Sequence, residues 1–115
     1  MNHFIVATER EEPVGFALAY ELNRLDRPQP MMLLYEISVA ENRRRQGVAK
    51  AMINFLKTMC REKSVMKMWT LTNESNQAAV RTYQSTGGKF VPEDDMAMCV
   101  YVPESFAQSH EVAKD

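Results

Sequence analysis

The sequence predicts an α/β (α+β) domain with a mixed, mostly antiparallel β-sheet and a central parallel βαβ crossover. Three observations support this prediction. Two apolar runs near the start of the chain flank a charged turn, the apolar spacing becomes helical after residue 47, and another apolar run follows that segment. With 115 residues the chain has the usual size of one domain, and we expect a single domain over residues 1–115.

The first half of the chain predicts three strands. The runs HFIVAT and PVGFALAYEL are separated by the charged residues EREE, a pattern typical of a β-hairpin. Two prolines then interrupt the segment LNRLDRPQP. The next run, MMLLYEISV, is almost continuously apolar, which favours a central strand of the sheet.

The segment after Gly47 has the spacing of an amphipathic helix that packs on a sheet. The apolar positions at this spacing are Val48, Met52, Phe55, Leu56 and Met59. The run VMKMWTLT follows and is predicted to be a strand. A strand, a helix and a second strand in this order form a right-handed crossover between parallel strands.

A second helix is predicted within NESNQAAVRTYQSTGG, with Asn73 and Ser75 as cap candidates and Gly87 and Gly88 at its end. The run KFVPEDDMAMCVYVP then predicts a short strand, an acidic turn at Pro92–Asp95 and a longer strand. The predicted order of elements is therefore β-β-β-α-β-α-β-β.

Composition excludes several functions. With 14 Lys and Arg against 15 Asp and Glu, the formal net charge of -1 gives no overall field that attracts nucleic acid or an anionic membrane. No apolar run is long enough to cross a bilayer, and the first residues, MNHFIVATEREE, lack a basic leader, so we expect a cytoplasmic protein. The two histidines and two cysteines lack metal-ligand spacing, so no metal is expected. Cys60 and Cys99 lie among apolar residues, which predicts buried, unreactive thiols.

A basic turn precedes the first predicted helix. The strand ends at Val39, the turn carries Arg43–Arg45, and the helix begins after Gly47. A helix N-terminus presents unpaired N–H groups and a partial positive charge, so this segment predicts a site for a phosphate or pyrophosphate. Neither the Walker A motif nor the G-x-G-x-x-G motif is present. On charge alone, a solvated basic turn is an equal alternative.

Residues 31–88 resemble the GCN5-related N-acetyltransferase (GNAT) superfamily, which has the acyl-CoA N-acyltransferase fold. The pyrophosphate loop of that superfamily reads Q/R-x-x-G-x-G/A, and Arg44, Gly47 and Ala49 stand at its three defined positions in RRQGVA. A second pattern, of Asn, a small residue, Tyr and Gly, is matched further along the chain. Its four positions here are Asn76, Ala79, Tyr83 and Gly87.

Within that superfamily, the segments AYEL, LLYEISV and RRQGVAKAMINFLK resemble the aminoglycoside 3-N-acetyltransferases. Members of the superfamily usually begin with a strand and one or two helices before the hairpin, so the resemblance implies a GNAT-like domain that lacks the first strand and helices. Apolar residues of the hairpin would then be left uncovered. We therefore expect a homodimer whose interface covers Phe4, Val6, Phe16 and Leu18.

The resemblance implies an enzyme that transfers an acetyl group from acetyl-CoA to a primary amine. The acceptor would be a small molecule, such as an aminoglycoside or a polyamine, or a protein amine. The end of the central strand would bind the pantetheine arm, the loop after it the pyrophosphate, and Asn76 the pantetheine further along. The residues implied to bind the donor are Ile37, Ser38, Val39, Arg44, Arg45, Gln46, Gly47, Val48, Ala49, Lys50 and Asn76.

Two residues are candidates for catalysis. Tyr83 stands at the position of the superfamily's usual general acid, and its alternative role is that of a core aromatic residue on a helix. Glu36 lies within an apolar strand, where a carboxylate is costly unless it lines a cleft, and it is the candidate base. A structural salt bridge is the alternative for Glu36. The acidic turn at Glu93–Asp95 could attract a cationic amine, although such turns are usually solvated.

Two other classes of function remain at this point. A catalytically poor relative of the same fold would bind CoA as a sensor or interaction module. A nucleic-acid-binding module would use the three arginines, but the net charge is wrong for it and no aromatic platform flanks them.

Overall fold

The computed structural model describes residues 1–90 of the chain. The elements are β1 (Asn2–Glu9), β2 (Glu12–Leu22), β3 (Met31–Val39), a 3-10 turn (Glu41–Arg43), α1 (Val48–Glu62), β4 (Lys67–Trp69) and α2 (Gln77–Ser85). This order confirms the predicted β-β-β-α-β-α arrangement. Lys89 and Phe90, the first residues of the next predicted strand, are irregular. The acidic turn, the last predicted strand and Cys99 lie outside the described residues.

The four strands form one sheet in the order β1-β2-β3-β4. The β1–β2 and β2–β3 pairs are antiparallel, whereas β3 and β4 are parallel and are connected through α1. The predicted mixed sheet with a parallel βαβ crossover is therefore confirmed, and β3 is an internal strand as predicted.

β4 is shorter than the predicted strand VMKMWTLT. It pairs with β3 only where Lys67–Trp69 lie beside Met31–Leu33. Immediately beyond this pairing, Thr70 Oγ1 donates a hydrogen bond of 2.8 Å to the carbonyl oxygen of Leu34. The Thr70 side chain thus bonds to a carbonyl oxygen that would accept a main-chain N–H if β4 were longer. β3 continues to Val39 without β4 beside it.

α1 packs against one face of the sheet through Met52, Ile53, Leu56 and Cys60, which are all buried. The expectation that Phe55 lies on this face is wrong, because its side chain is 55% exposed. At 3.6 residues per turn, Phe55 lies about 100° around the helix from Leu56, outside the sector that faces the sheet. Cys60 is buried and free, as predicted.

The two faces of the sheet differ. We call the face that packs against α1 the inner face; it carries the buried residues Ala17, Ala19, Met32 and Leu34. The opposite, outer face carries Phe4, Val6, Phe16, Leu18 and Tyr20, and the rings of Phe4 and Phe16 lie 5.9 Å apart. Phe4 is 64% and Val6 46% exposed, so this end of the outer face is uncovered within residues 1–90, as expected, while Phe16 and Leu18 are half-buried.

Gly15 allows the start of α1 to lie close to the sheet. A Cβ atom at this position would lie 2.9 Å from the carbonyl oxygen of Ser38, 3.1 Å from Met52 Cε and 3.2 Å from Val48 Cγ1. Because these distances are shorter than ordinary van der Waals contacts, a larger residue would push the end of β3 and the start of α1 apart.

Candidate active site

The three consecutive arginines have different environments. Arg43 Nε donates a hydrogen bond of 2.9 Å to Glu9 Oε2, which ties the turn to β1. Arg44 Nε donates to the carbonyl oxygen of Val39 at 3.2 Å, which folds its side chain back on β3. Arg45 has the left-handed φ of 65° and makes no side-chain hydrogen bond or ion pair within residues 1–90. Two of the three arginines therefore hold the turn in shape, and the third is available to a ligand.

The N-terminus of α1 lacks a side-chain cap. Its N-cap residue, Gly47, has φ 83° and ψ 8°, a left-handed conformation that favours glycine. The first N–H groups of an α-helix have no intrahelical partner, and here they belong to Val48, Ala49 and Lys50. A Cβ atom at Gly47 would meet no atom within 4 Å among the described residues, so the space beside these donors is open. This arrangement can bind an anion.

α2 begins with a side-chain cap. Asn76 Oδ1 accepts a hydrogen bond of 3.2 Å from the N–H of Ala79, so the N-cap is Asn76 and not the predicted Asn73 or Ser75. Asn76 is exposed, and its Nδ2 group makes no hydrogen bond within the described part of the chain. The capping oxygen fixes the side chain, and the amide nitrogen remains able to donate.

The C-terminus of α2 is fixed by two features. Gly87 has a φ of 94°, and the N–H of Gly88 donates to the carbonyl oxygen of Tyr83 at 2.8 Å, the bond of a Schellman motif. In addition, Lys57 Nζ on α1 donates to the carbonyl oxygen of Thr86 at 2.6 Å. The predicted glycine stop is confirmed, and a half-buried lysine of α1 also holds this end of α2.

The end of β3, the basic turn, the start of α1 and one side of α2 enclose a cavity of about 760 Å³. This volume is typical of cavities for small molecules and cofactors. The sequence-predicted donor-binding residues that line it are Ile37, Ser38, Val39, Arg44, Arg45, Gly47, Val48, Ala49, Lys50 and Asn76. Gln46 does not line it, since its Nε2 donates at 3.5 Å to the carbonyl oxygen of Asn42.

Sequence reasoning missed several residues of the cavity. Arg43 and Ile53 line it from the turn and from α1. A stripe along α2 also faces it, formed by Ala78, Arg81, Thr82 and Ser85. These four residues recur at positions i, i+3, i+4 and i+7, so their helical spacing could have identified them. Arg81 adds a further cation that makes no ion pair within residues 1–90.

Tyr83 lies between two cavities. Its side chain is half-buried, packs against the core and lines the cavity described above. It also lines a second cavity of about 670 Å³, which extends beside Met68, Trp69 and Thr70 at the end of β4. Both sequence-based roles of Tyr83 are compatible with this position, because the ring packs on the core while the residue borders open space.

Glu36 does not lie in the apolar environment that its strand suggests, because its side chain is exposed. The pairing of β2 with β3 explains this. Leu18 pairs with Glu36, but the next residue, Ala19, pairs with Leu34. Tyr35 is therefore the extra residue of a β-bulge. The Tyr35 ring contacts Tyr20 at 5.5 Å, and Glu36 shares the face of its partner Leu18, so both residues lie on the outer face.

A second group of charges lies at the opposite end of α1. His3 Nε2 and Lys63 Nζ lie 2.9 Å and 3.7 Å from Glu21 Oε2. The hydrogen bond with His3, followed by the charge of Lys63, holds the pKa of Glu21 below its ordinary value. Burial raises the pKa of the Cys60 thiol, and the nearby Glu21 carboxylate raises it further. The unreactive character predicted for Cys60 agrees with this environment.

Within residues 1–90, no three His, Cys, Asp or Glu side chains lie close enough together to hold a metal ion. Neither of the two described helices has the length and hydropathy that a membrane-spanning segment needs.

The fold and the site define a class of protein: an α/β domain with an uncapped helix start beside the end of a central strand. The chain belongs to the acetyltransferase (GNAT) family, whose model matches residues 1–87. The resemblance seen in the sequence is therefore confirmed.

Solved structures have the same fold. An aminoglycoside acetyltransferase from an uncultured soil metagenomic sample is 22% identical, covers 88% of this chain and 63% of its own, and has a TM-score of 0.74. An integron cassette protein from the mobile metagenome of V. cholerae is 17% identical, with coverage of 93% and 65% and a TM-score of 0.83. A probable acetyltransferase is 28% identical, with coverage of 89% and 67% and a TM-score of 0.75.

The chain spans less than two thirds of the length of the soil acetyltransferase. The similarity to the soil and cassette proteins, which are less than 25% identical, shows the shared fold alone. No curated protein matches the sequence.

Proposed function

We propose that this protein is an N-acetyltransferase that transfers the acetyl group of acetyl-CoA to a primary amine. The observation that carries the proposal is the uncapped start of α1, where Gly47 has a left-handed conformation and the unpaired N–H groups open into a large cavity. Membership of the GNAT family supports the same reaction.

The basic end of the cavity would hold the pyrophosphate of the donor. The N–H groups of Val48–Lys50 would donate to its oxygens, and the helix dipole favours its negative charge. The Arg45 and Arg81 side chains would add positive charge, since neither makes an ion pair within residues 1–90. Gln46 would contribute through its main chain only, because its side chain bonds to the turn.

The pantetheine arm would lie along the part of β3 that has no β4 beside it. β3 continues from its last pair with β4 at Leu33 to Val39, and Ile37–Val39 line the cavity. Main-chain groups of this stretch would bind the arm in place of a neighbouring strand, and an N–H there would donate to the thioester oxygen. The Asn76 amide would bind the arm from α2.

The reaction needs a neutral amine, a stabilised oxyanion and a proton for the departing thiolate. The amine nitrogen forms a bond to the thioester carbonyl carbon, and the carbon–sulfur bond breaks as the tetrahedral intermediate collapses. The Tyr83 hydroxyl would donate a proton to the sulfur. Glu36, directly or through a water molecule, would accept the proton that the amine loses. Because Tyr83 packs from the inner side and Glu36 lies on the outer face, the acceptor would approach from the side opposite the donor.

The acceptor would be a small molecule, such as an aminoglycoside or a polyamine, or a protein amine. The first of these is the substrate class named for the structural neighbour from soil, whose fold this chain shares. The test is turnover of acetyl-CoA with a panel of amines from each class, combined with thermal melting in the presence of CoA. CoA-dependent stabilisation with turnover of at least one amine is expected, whereas no stabilisation at millimolar CoA would contradict the proposal.

The assignment of Glu36 as the base has its own test. Glu36→Gln retains the shape of the side chain but cannot accept a proton. We expect the pH dependence of the acyl-transfer step to change in this variant, and an unchanged profile would exclude Glu36 as the base.

A CoA-binding sensor or interaction module of the same fold is the alternative function. The exposure of Glu36 favours this alternative. The position of an exposed carboxylate is less restricted than that of a buried one, which makes it a poorer general base. CoA-dependent stabilisation without turnover of any amine in the panel would support this alternative.

We also propose a homodimer and a cytoplasmic location. The exposed apolar residues Phe4 and Val6 of the outer face support the dimer, since a second subunit would cover them. Sedimentation at micromolar concentration tests the dimer, and imaging of a tagged chain in its own cell tests the location.

A further inference from the structure

β1 is an edge strand of the described sheet, and its hydrogen bonds to β2 show which of its main-chain groups are directed to the free edge. The N–H of Glu21 donates to the carbonyl oxygen of Met1 at 2.8 Å, and the Met1 amino group donates to the carbonyl oxygen of Glu21 at 3.4 Å. Met1 and Glu21 are therefore a hydrogen-bonded pair. Such pairs alternate along an antiparallel ladder, so His3 and Ile5 also bond to β2.

The alternate residues of β1 face away from β2. The main-chain N–H and C=O groups of Asn2, Phe4 and Val6 are directed to the free edge, where no described strand pairs with them. The Phe4 and Val6 side chains lie on the outer face and are 64% and 46% exposed. Both the main chain and the side chains of this edge are thus uncovered within residues 1–90.

The composition of this edge does not prevent association. Natural edge strands usually carry lysine, proline or an inward-pointing charge that blocks pairing with another strand. The segment Asn2–Thr8 contains no Lys, Arg, Asp, Glu or Pro. Its one titratable side chain, His3, bonds to Glu21 of its own chain. Two copies of this strand can therefore approach without repulsion between like charges.

We propose that β1 pairs with β1 of a second copy of the chain, antiparallel and about a two-fold axis, to form a continuous sheet that joins the four described strands of each copy. This proposal deepens the proposed homodimer and does not depend on acetyl transfer. The axis passes between the Phe4 residues of the two copies, and Asn2 of each copy faces Val6 of the other. In this register the outward N–H and C=O groups of all three residues are paired in both copies.

The side chains support this register. Residues directly opposite each other in an antiparallel pair share a face of the sheet, and aromatic cross-strand pairs are favourable. The two Phe4 rings would meet on the outer face and extend the contact that each makes with its own Phe16. On the inner face, Ile5 of each copy would lie opposite His3 of the other. The pairing would therefore cover the most exposed end of the outer face.

Amide exchange measured by NMR on the full chain tests the main-chain pairing. We expect sedimentation to show a dimer at micromolar concentration, with the Phe4 and Val6 amides protected in it. These two amides should lose protection on dilution, whereas the Ile5 amide stays protected because it bonds within one chain. Protection of Phe4 and Val6 in a monomer would overturn the proposal, since another part of the same chain would then cover the edge.

Variants separate pairing at the edge from stacking of the outer faces. Val6→Pro removes an outward N–H without removing a bond to β2, and Val6→Lys adds a charge at the edge if the proline variant fails to fold. Leu18→Lys is the matched control, because it places the same charge on the outer face but on an internal strand. We expect Val6→Lys to weaken dimerisation at least about tenfold, and Leu18→Lys to weaken it less.

Two results would contradict the proposed pairing. The first is dimerisation unchanged in the Val6 variants, and the second is dimerisation lost only in Leu18→Lys. Thermal melting with CoA, measured on the same samples, reports on the proposed function separately. A monomeric variant that still binds CoA leaves that function intact, and a dimeric wild type without CoA binding contradicts it without affecting the edge pairing.

Discussion

The two ends of α1 differ in how their charges are satisfied. At the C-terminal end, the Glu21 carboxylate is matched by His3 and Lys63 within the chain. At the N-terminal end, the N–H groups have no side-chain cap, and Arg45 and Arg81 make no ion pair within residues 1–90. The first end stabilises the fold, whereas the second accumulates N–H donors and positive charge that are unpaired within residues 1–90, which suits an anionic ligand. Four substitutions test this contrast.

The largest effect is expected for Gly47→Asp. An aspartate carboxylate would lie beside the N–H groups that are proposed to bind the pyrophosphate, and it would repel that anion. We expect CoA affinity to fall about 100-fold, measured by isothermal titration calorimetry. Gly47→Asn is the matched control, because asparagine also tolerates the left-handed conformation but carries no charge.

The Gly47→Asn variant should lose about tenfold less affinity than Gly47→Asp, and Arg43→Ala should also lose less, since Arg43 bonds to Glu9. Equal losses in Gly47→Asp and Arg43→Ala would mean that general positive charge, and not the helix start, holds the ligand.

Tyr83→Phe tests the catalytic role of the residue between the two cavities. Only the hydroxyl group is lost, and the ring continues to pack on the core. We expect turnover to fall about 100-fold while CoA affinity changes by no more than a few-fold. Unchanged turnover in steady-state assays would leave Tyr83 with its role in the core alone.

Gly15→Ala tests the packing that brings the N-terminal end of α1 to the sheet. The added Cβ atom would lie 2.9 Å from the carbonyl oxygen of Ser38, so β3 and α1 must separate. We expect a loss of about 1–3 kcal/mol in the free energy of unfolding, measured by urea denaturation. CoA affinity should also fall, because the cavity lies at the same junction. Full stability in this variant would show that the junction is loosely packed.

The smallest effect is expected at the C-terminal end of α1. Because the folded pKa of Glu21 is lowered, the ionised carboxylate stabilises the fold above its ordinary pKa of about 4.3. That contribution is lost as the pH falls through the lower folded pKa. Glu21→Gln should therefore be less stable than the wild type at pH 7, by less than about 1 kcal/mol, and the difference should shrink at low pH.

Thermal melting across this pH range measures the effect of Glu21. The control is Glu62→Gln, which changes an exposed carboxylate that makes no ion pair within residues 1–90. An equal pH dependence in both variants would mean that the ion pairs of Glu21 contribute nothing.

The elements that follow regular periodicity could be predicted from the sequence. The change of apolar spacing after Gly47 located α1 within a residue of its start, and the same glycine marked the uncapped helix start that is proposed to bind an anion. Asn76 and Tyr83 were found through the motif that they share with the family, and both lie on the cavity. Arg81 could also have been found, since it belongs to a helical stripe.

The features that were missed depend on tertiary structure. No residue of the run MMLLYEISV marks Tyr35 as a bulge, so strict alternation could not show that Glu36 lies on the outer face. The sequence does not show that β4 is short, because a hydrogen bond from the Thr70 side chain replaces the next main-chain bond between β4 and β3. Phe55 was assigned to the core because it is apolar, although its angle around α1 places it outside the contact.

The closed ends of α2 have a consequence for ligand recognition. Asn76 caps its first turn, Gly88 closes its last turn, and Lys57 of α1 donates to Thr86, so the helix that carries Tyr83 is formed and tied to α1 without a ligand. One wall of the cavity is thus built before any ligand arrives. Binding then does not require the wall to become ordered, and more of the contact energy appears as affinity.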